Sequence, residues 1–368
     1  MPRSFRKTSL WLAISLLALV AAIACSSKQG LTAANNSNSI IGAGSTFIYP
    51  IMTRWIADYQ GSHPGVQINY QSIGSGGGIQ QLKKGLVDFG ASDAALSDDQ
   101  LKEMPALVQI PESAGPVCIT YNLPDLKQPL KLSAATLSGI YLGQIKSWHD
   151  PAIAKDNPGV KLPADNILVA HRSDGSGTTN IFTTYLAKVS PSWEKKVGKG
   201  ISVSWPVGLG GKGSEGVTGV VKQSPGAIGY VELTYAKENN LPVALIRNQA
   251  GSWVEPSAEG ATAAIAGFAD ELAKDVRSAI VDPPASAKDA YPICGLTYLL
   301  VPKEAKDAQK AAAVKEFIQY IVTNGQEMSN SLFYAKLPPA LTEQDQKLLG
   351  ETQADNRPVA DTSTTAQK

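Results

Sequence analysis

Apolar and polar positions alternate between two rhythms along this chain. Short runs that are apolar at every or every second residue, bounded by Gly, Pro, Asn or Asp, predict strands over 66–71, 86–92, 117–122, 167–171, 227–231, 243–246 and 297–301. Apolar residues recurring at spacings of three and four predict helices over 50–60, 79–84, 97–102, 134–142, 178–188, 217–223, 258–279 and 304–322. The last of these sets Ala, Val, Phe and Ile between Lys310, Lys315 and Glu316, the pattern of a helix laid against a core. Strands alternating with helices imply α/β layers, in which ligands gather beyond the carboxyl ends of strands. Trp148, Trp193, Trp205 and Trp253 fall in loops or at element ends and are read as core or rim packing.

The two ends break the rhythm. Arg3, Arg6 and Lys7 precede an uncharged apolar run over 10–24. At about 15 residues it is shorter than the roughly 20 a membrane-spanning helix needs, so 1–24 is read as an export signal. The run closes on Ala22-Ile23-Ala24-Cys25 before the polar Ser26, Ser27 and Lys28, which resembles a bacterial lipobox and makes Cys25 the expected lipidated first residue of the mature chain. Ordinary cleavage beside an incidental cysteine is the alternative. Residues 25–39 are expected to form a flexible tether and 351–368 a disordered tail, both being polar without an apolar period. What lies between is long enough for about two domains of roughly 150 residues.

The 368 residues carry 33 Lys and Arg against 32 Asp and Glu, and three of the bases lie in the signal. Beyond it the balance is slightly acidic and no basic stripe occurs, which argues against a nucleic-acid partner. His63, His149 and His171 are scattered, so no metal-ligand spacing appears and no cofactor is expected. Cys118 and Cys294 both sit in apolar runs; for an exported chain, a disulfide and two buried free thiols are both open.

Three runs carry candidate chemistry: GAGSTF from Gly42 to Phe47, IGSGGG from Ile73 to Gly78 and RSDGSGT from Arg172 to Thr178. Each sets small hydroxyl residues and glycine just before a helix. A helix start leaves backbone N–H groups unpartnered and carries partial positive charge, so it suits an oxyanion. Arg172 adds a planar fork matched to a tetrahedral anion, and Asp174, two residues on, could hold it in place. A surface Arg–Asp pair of little energetic weight is the plain alternative. Asp93, at the end of the strand 86–92, can only accept hydrogen bonds when it is ionised. Beside an anion site it makes sense where the anion still carries a proton, as phosphate does at neutral pH and sulfate does not; alone, Asp93 reads as a helix N-cap.

Other patterns fail their context. Gly208, Gly210 and Gly213 satisfy G-x-G-x-x-G but follow Trp205-Pro206 without a clear strand entry, so no dinucleotide site is expected. Lys212 is followed by Gly213 rather than Ser or Thr, unlike a P-loop. His171, Asp174 and Ser176 are too close in sequence to form a hydrolase triad, and neither a metal cluster nor an activated nucleophile for a phosphatase is present. The chain is therefore not expected to be an enzyme.

The ordered runs GAGSTF, IGSGGG, VDFGASDA, HRSDGSGT, WPVGLGGKG and PGAIGYVE resemble the phosphate-binding proteins of bacterial high-affinity phosphate ABC transporters, from about Ile41 to about Leu337. The resemblance implies a type II two-lobed periplasmic-binding-protein fold with two hinge crossings. Lobe I would comprise 40–115 and 293–350, and lobe II 116–292. It implies phosphate contacts from Thr46, the N–H of Phe47, Ser75, Asp93, Arg172, Ser176, Gly177 and Thr178, with Asp174 tethering Arg172. Cys118 and Cys294 would then lie beside the hinge, which favours their disulfide. His171, Gly76 and Ala95 depart from the residues many relatives carry there, an Arg, a Ser and a Pro. The implied partners are inorganic phosphate and a membrane permease, for a monomeric, membrane-anchored lipoprotein at the periplasm or cell surface. A surface sensor or adhesin with the same cleft is the rival reading.

Overall fold

The computed structural model describes residues 39–354 except Pro105 and Lys306. The expected signal 1–24, Cys25, most of the tether and the tail from 355 lie outside the described residues. Eight strands build the main sheet: β1 (Ser39–Gly44), β2 (Gln67–Ser72), β3 (Phe89–Ser92), β4 (Leu107–Tyr121), β5 (Leu168–Arg172), β6 (Leu209–Gly211), β7 (Ala227–Glu232) and β8 (Cys294–Pro302). Their order is β2-β1-β3-β8-β4-β7-β5-β6. β2, β1 and β3 are parallel, β8 and β4 run against their neighbours, and β7, β5 and β6 are again mutually parallel.

β4 ties the two parallel groups together. It pairs with β8 as far as Pro116, opposite Cys294, and with β7 from Val117, opposite Glu232. The apolar pattern predicts only its second half, because Pro111, Glu112, Ser113 and Pro116 interrupt the first. The register explains how they are accommodated: Ser113 faces Thr297 and Pro111 faces Tyr298, so Glu112 is the extra residue of a bulge. A proline, which has no N–H to give the ladder, sits next to that irregularity. The glycines of β1 suggest a turn, yet it is central to its half of the sheet. Gly42 lies directly under the Phe89 ring, where an added Cβ would come 2.2 Å from ring carbon Cζ.

Seven helices matter for the site and the core: α1 (Tyr49–Ser62), α2 (Ser75–Lys83), α3 (Gly177–Val189), α4 (Gly213–Gln223), α5 (Leu233–Glu238), α6 (Ala308–Val322) and α7 (Pro339–Gly350). α1 buries Ile51, Met52, Trp55 and Tyr59, and the Trp55 indole N–H donates to the Gly325 carbonyl at 2.8 Å. α6 buries Val314, Phe317, Ile318, Ile321 and Val322, a stripe at helical spacing. Trp148 and Trp193 are fully buried. Burial of one such ring stabilises the fold by roughly 2–3 kcal/mol.

Four sequence expectations need correcting. The stretch 304–322 is not one helix: Asp307 caps α6 by accepting from the Lys310 N–H, while Glu304–Ala305 form a short strand beside Gln353–Ala354. The tail expected from 351 is thus ordered at its first residues. The stretch 258–279 is broken at Phe268 into Ala258–Gly267 and Ala269–Lys274. Cys118 and Cys294 are buried free thiols, not a disulfide. They pair in the sheet with different neighbours, Val231 and Pro116, and belong to different apolar clusters. The Cys294 thiol donates instead to the Tyr291 carbonyl at 3.3 Å.

Candidate functional site

The carboxyl ends of the parallel strands converge. β1 leads into Ser45 and Thr46, β2 into Ser75, β3 into Asp93, β5 into Arg172 and Asp174, and β6 into Gly213 and Ser214. α2, α3 and α4 begin there, so three helix N-termini point into one place. Gly74 makes the second turn possible: its φ is +85°, and a Cβ there would sit 2.3 Å from an Asp174 carboxylate oxygen.

The structure brings the eight expected contact residues into this region, and several of them bond across the two halves of the sheet. Thr46 and Ser214 hydroxyls lie 2.8 Å apart, and the Ser214 N–H donates to Thr46 Oγ1 at 3.2 Å. Ser75 Oγ accepts from the Gly177 N–H at 3.0 Å and the Asp93 N–H at 3.3 Å. Thr178 Oγ1 donates to Asp93 Oδ2 at 3.2 Å. Ser176 caps α3 by accepting from the Thr179 N–H at 3.1 Å. Phe47 turns its ring away, edge-on to Tyr334 with centroids 5.9 Å apart, and its carbonyl accepts from the Tyr334 hydroxyl at 2.6 Å.

Arg172 is 4 % exposed. Its Nε and Nη2 donate to the two oxygens of Asp174 at 2.8 and 2.6 Å, and Nη1 reaches Thr178 Oγ1 and Ser214 Oγ, each at 3.5 Å. The pair is therefore a buried two-point clamp rather than a surface ion pair. Burial works to lower the Arg172 pKa, but the Asp174 hydrogen bonds and charge outweigh it and leave the guanidinium raised. Burial likewise pushes Asp174 up, and Arg172 together with the Gly213 N–H at 3.0 Å brings it below its ordinary value.

Asp93 is not a helix cap, since Ser97 caps the following helix Asp98–Glu103 with a full capping box. Burial pushes its carboxyl up to about 6, opposed by the Ser45 hydroxyl, Arg172 and Thr178. The site thus sets hydrogen-bond donors and an arginine around one buried acceptor.

Two groups of the site escape the sequence reading. Ser45, inside GAGSTF, donates to Asp93 Oδ1. Ser214 arrives on the glycine run set aside as a false dinucleotide motif; its position just after Gly213, ahead of the apolar spacing of α4, is the available signal. The departures also find places. His171 stacks on Trp205 with centroids 4.9 Å apart, and burial lowers its pKa. The Gly76 N–H donates to the Gly175 carbonyl at 2.9 Å, with only 3.1 Å from an added Cβ to Gly175 Cα.

The chain is similar to known proteins. The profile of the PBP superfamily domain matches residues 31–324. The phosphate-binding protein PstS of Xylella fastidiosa is 46 % identical over 309 residues, covering 84 % of this chain and 84 % of that protein. PstS of Haemophilus influenzae is 43 % identical over 303 residues, covering 82 % of this chain and 90 % of that one. The solved phosphate-binding protein from Stenotrophomonas maltophilia superposes with a TM-score of 0.63 at 19 % identity, over 84 % of this chain and 93 % of its own, a likeness of fold. Fold and site define a two-lobed substrate-binding protein of the PBP superfamily. Within that class, the chain belongs to the PstS family of phosphate-binding proteins.

Proposed function

We propose that this protein binds inorganic phosphate between its two lobes outside the cytoplasm and delivers it to an ABC permease for import, performing no chemistry on it. The observation that carries this reading is the pairing of a buried arginine fork with a buried acceptor, Asp93, among helix N-termini and hydroxyls. Arg172, Thr46, Ser75, Ser176, Thr178 and the N–H groups of Phe47 and Gly177 hold the phosphate oxygens, and Asp93 accepts from the phosphate hydroxyl. Sulfate, with no proton to give, meets Asp93 acceptor to acceptor.

Lobe I is 40–115 with 293–350 and lobe II is 116–292. The change of partner along β4 after Pro116, and the Val117 N–H donating to the Ile293 carbonyl at 2.8 Å, support two crossings at this place. A lipid on Cys25 would tether the receptor to a membrane as a monomer.

Calorimetry with phosphate, arsenate and sulfate at neutral pH tests the reading. Five heavy atoms at a best-case −1.5 kcal/mol each give about −7.5 kcal/mol, so phosphate binds at roughly micromolar or tighter where charge-assisted bonds add to this. Arsenate, which also keeps a proton, binds comparably, and sulfate binds at least about 10³-fold more weakly. Sulfate binding equal to phosphate would overturn the role of Asp93.

A further inference from the structure

Asp93 accepts from three groups of different standing. Thr178 supplies a hydroxyl and an N–H from the start of α3, on the opposite side of the site. The Ser45 hydroxyl comes from the loop after β1, on the same side of the site as Asp93 itself. Ser45 is fully buried and its backbone is pinned on both sides: its N–H donates to the Ala91 carbonyl at 2.9 Å, and its carbonyl accepts from the Tyr70 hydroxyl at 2.8 Å. The hydroxyl also accepts from the Ile48 N–H at 3.3 Å, so its own proton is directed to Asp93.

We propose that Ser45 is a positioning residue for anion selectivity: by donating to Asp93 Oδ1 it keeps that buried side chain an acceptor at neutral pH and leaves to the ligand the lone pair of Oδ2 that Thr178 does not use. The inference rests on Asp93 facing the bound anion, as proposed above. A hydroxyl is a donor that favours the ionised carboxylate over the acid. Without it, burial acts on Asp93 with less opposition, the carboxyl takes up a proton closer to neutrality, and an Asp93 carrying a proton can donate to sulfate. The charged and titratable groups that face Asp93 are Arg172 from β5, which favours its ionised form, and Glu112 from β4 and Tyr70 from β2, which are coupled to its charge. Burial holds Glu112 up to about 8 and Tyr70 far above its usual range, so both stay mostly protonated between pH 5 and 7.5.

Sulfate is the clean probe, because it keeps one charge state across this range. Sulfate and phosphate affinities are measured by calorimetry from pH 5 to 7.5 on the full chain, the Ser45→Ala, Ser45→Thr and Asp93→Asn variants, and the double variant. In the parent, sulfate binding emerges as the pH falls through about 6. Loss of one hydrogen bond to a charged group corresponds to an upward shift of that midpoint by about one pH unit in Ser45→Ala, within the range measured. Ser45→Thr, which keeps a hydroxyl, restores it, and on the Asp93→Asn background Ser45→Ala produces no pH shift. A merely structural role would weaken both anions at every pH and leave the midpoint where it was; that result overturns the proposal. A parent chain that binds no phosphate, or rejects sulfate equally at every pH, would instead overturn the reading of Asp93 on which it stands.

Discussion

The two walls of the site handle charge in opposite ways. The wall built on β5, β6 and the starts of α3 and α4 carries its cation together with its own counter-ion: Asp174 accepts two bonds from Arg172 and a third from the Gly213 N–H. The facing wall, at the ends of β1, β2 and β3, buries Asp93 with hydroxyls and an N–H for company, and among the described residues no lysine or arginine of that wall is bonded to it. One wall is arranged in advance and indifferent to pH; the other is poised near the edge of ionisation. The arginine wall would set how tightly an anion is held, and the Asp93 wall would set which anion.

The sharpest way to break this contrast is to remove each wall's charge. Arg172→Ala takes away a buried fork and leaves Asp174 uncompensated, so phosphate affinity falls by more than about 100-fold, as truncation of a buried charge pair does. Asp93→Asn keeps the shape and one acceptor oxygen. Calorimetry is expected to show a smaller loss for phosphate, about tenfold, with a narrowed gap to sulfate. An Asp93→Asn variant that rejects sulfate as strongly as the parent would show that selectivity resides on the arginine wall after all.

Between these two lies a purely steric test. The walls meet at Gly177, where an added Cβ would come 2.6 Å from both the Asp93 Cβ and its backbone nitrogen. Gly177→Ala is expected to weaken phosphate binding by about tenfold or more, through walls that can no longer close, with little change in the ligand-free melting temperature. A fall in ligand-free stability of the same size as the loss in binding would place the clash within one folded unit instead.

What could be read from the sequence divides along the same line. The Arg172–Thr178 run declared itself because strand, charge, glycine and helix start are contiguous. Ser45 and Ser214 did not, because their meaning depends on contacts 48 and 168 residues away in the chain, to Asp93 and Thr46. The strand alternation revealed the α/β layers, yet β1 and the first half of β4 escaped it. Gly42 and Gly44 answer to the close approach of Phe89 and Ala91, and Glu112 to a bulge, so packing rather than pattern chose those residues. The disulfide expectation failed for a related reason: two cysteines that each follow one of the two expected crossings take different strand neighbours in space.

The smallest expected effect probes what lies behind the Asp93 wall. Glu112 is fully buried at the bulge, accepts from Thr297 Oγ1 at 2.8 Å through one oxygen, and has no protein partner for the other. Burial pushes its carboxyl up to about 8, so the folded protein holds a proton there that the unfolded chain releases above its ordinary value of 4.5. A group raised in this way contributes its full stabilisation below the unfolded value and loses it as the pH climbs through the folded one. Glu232 and Asp345, raised to about 8 by the same burial, act in the same direction. The ligand-free melting temperature is therefore expected to fall between pH 5 and pH 8.5. Glu112→Gln keeps an acceptor for Thr297 and cannot ionise, so scanning calorimetry across that range should find the fall reduced by a few degrees. An unchanged slope would mean that Glu112 is already ionised in the folded protein, and that the wall behind Asp93 carries a second buried negative charge rather than a neutral acid.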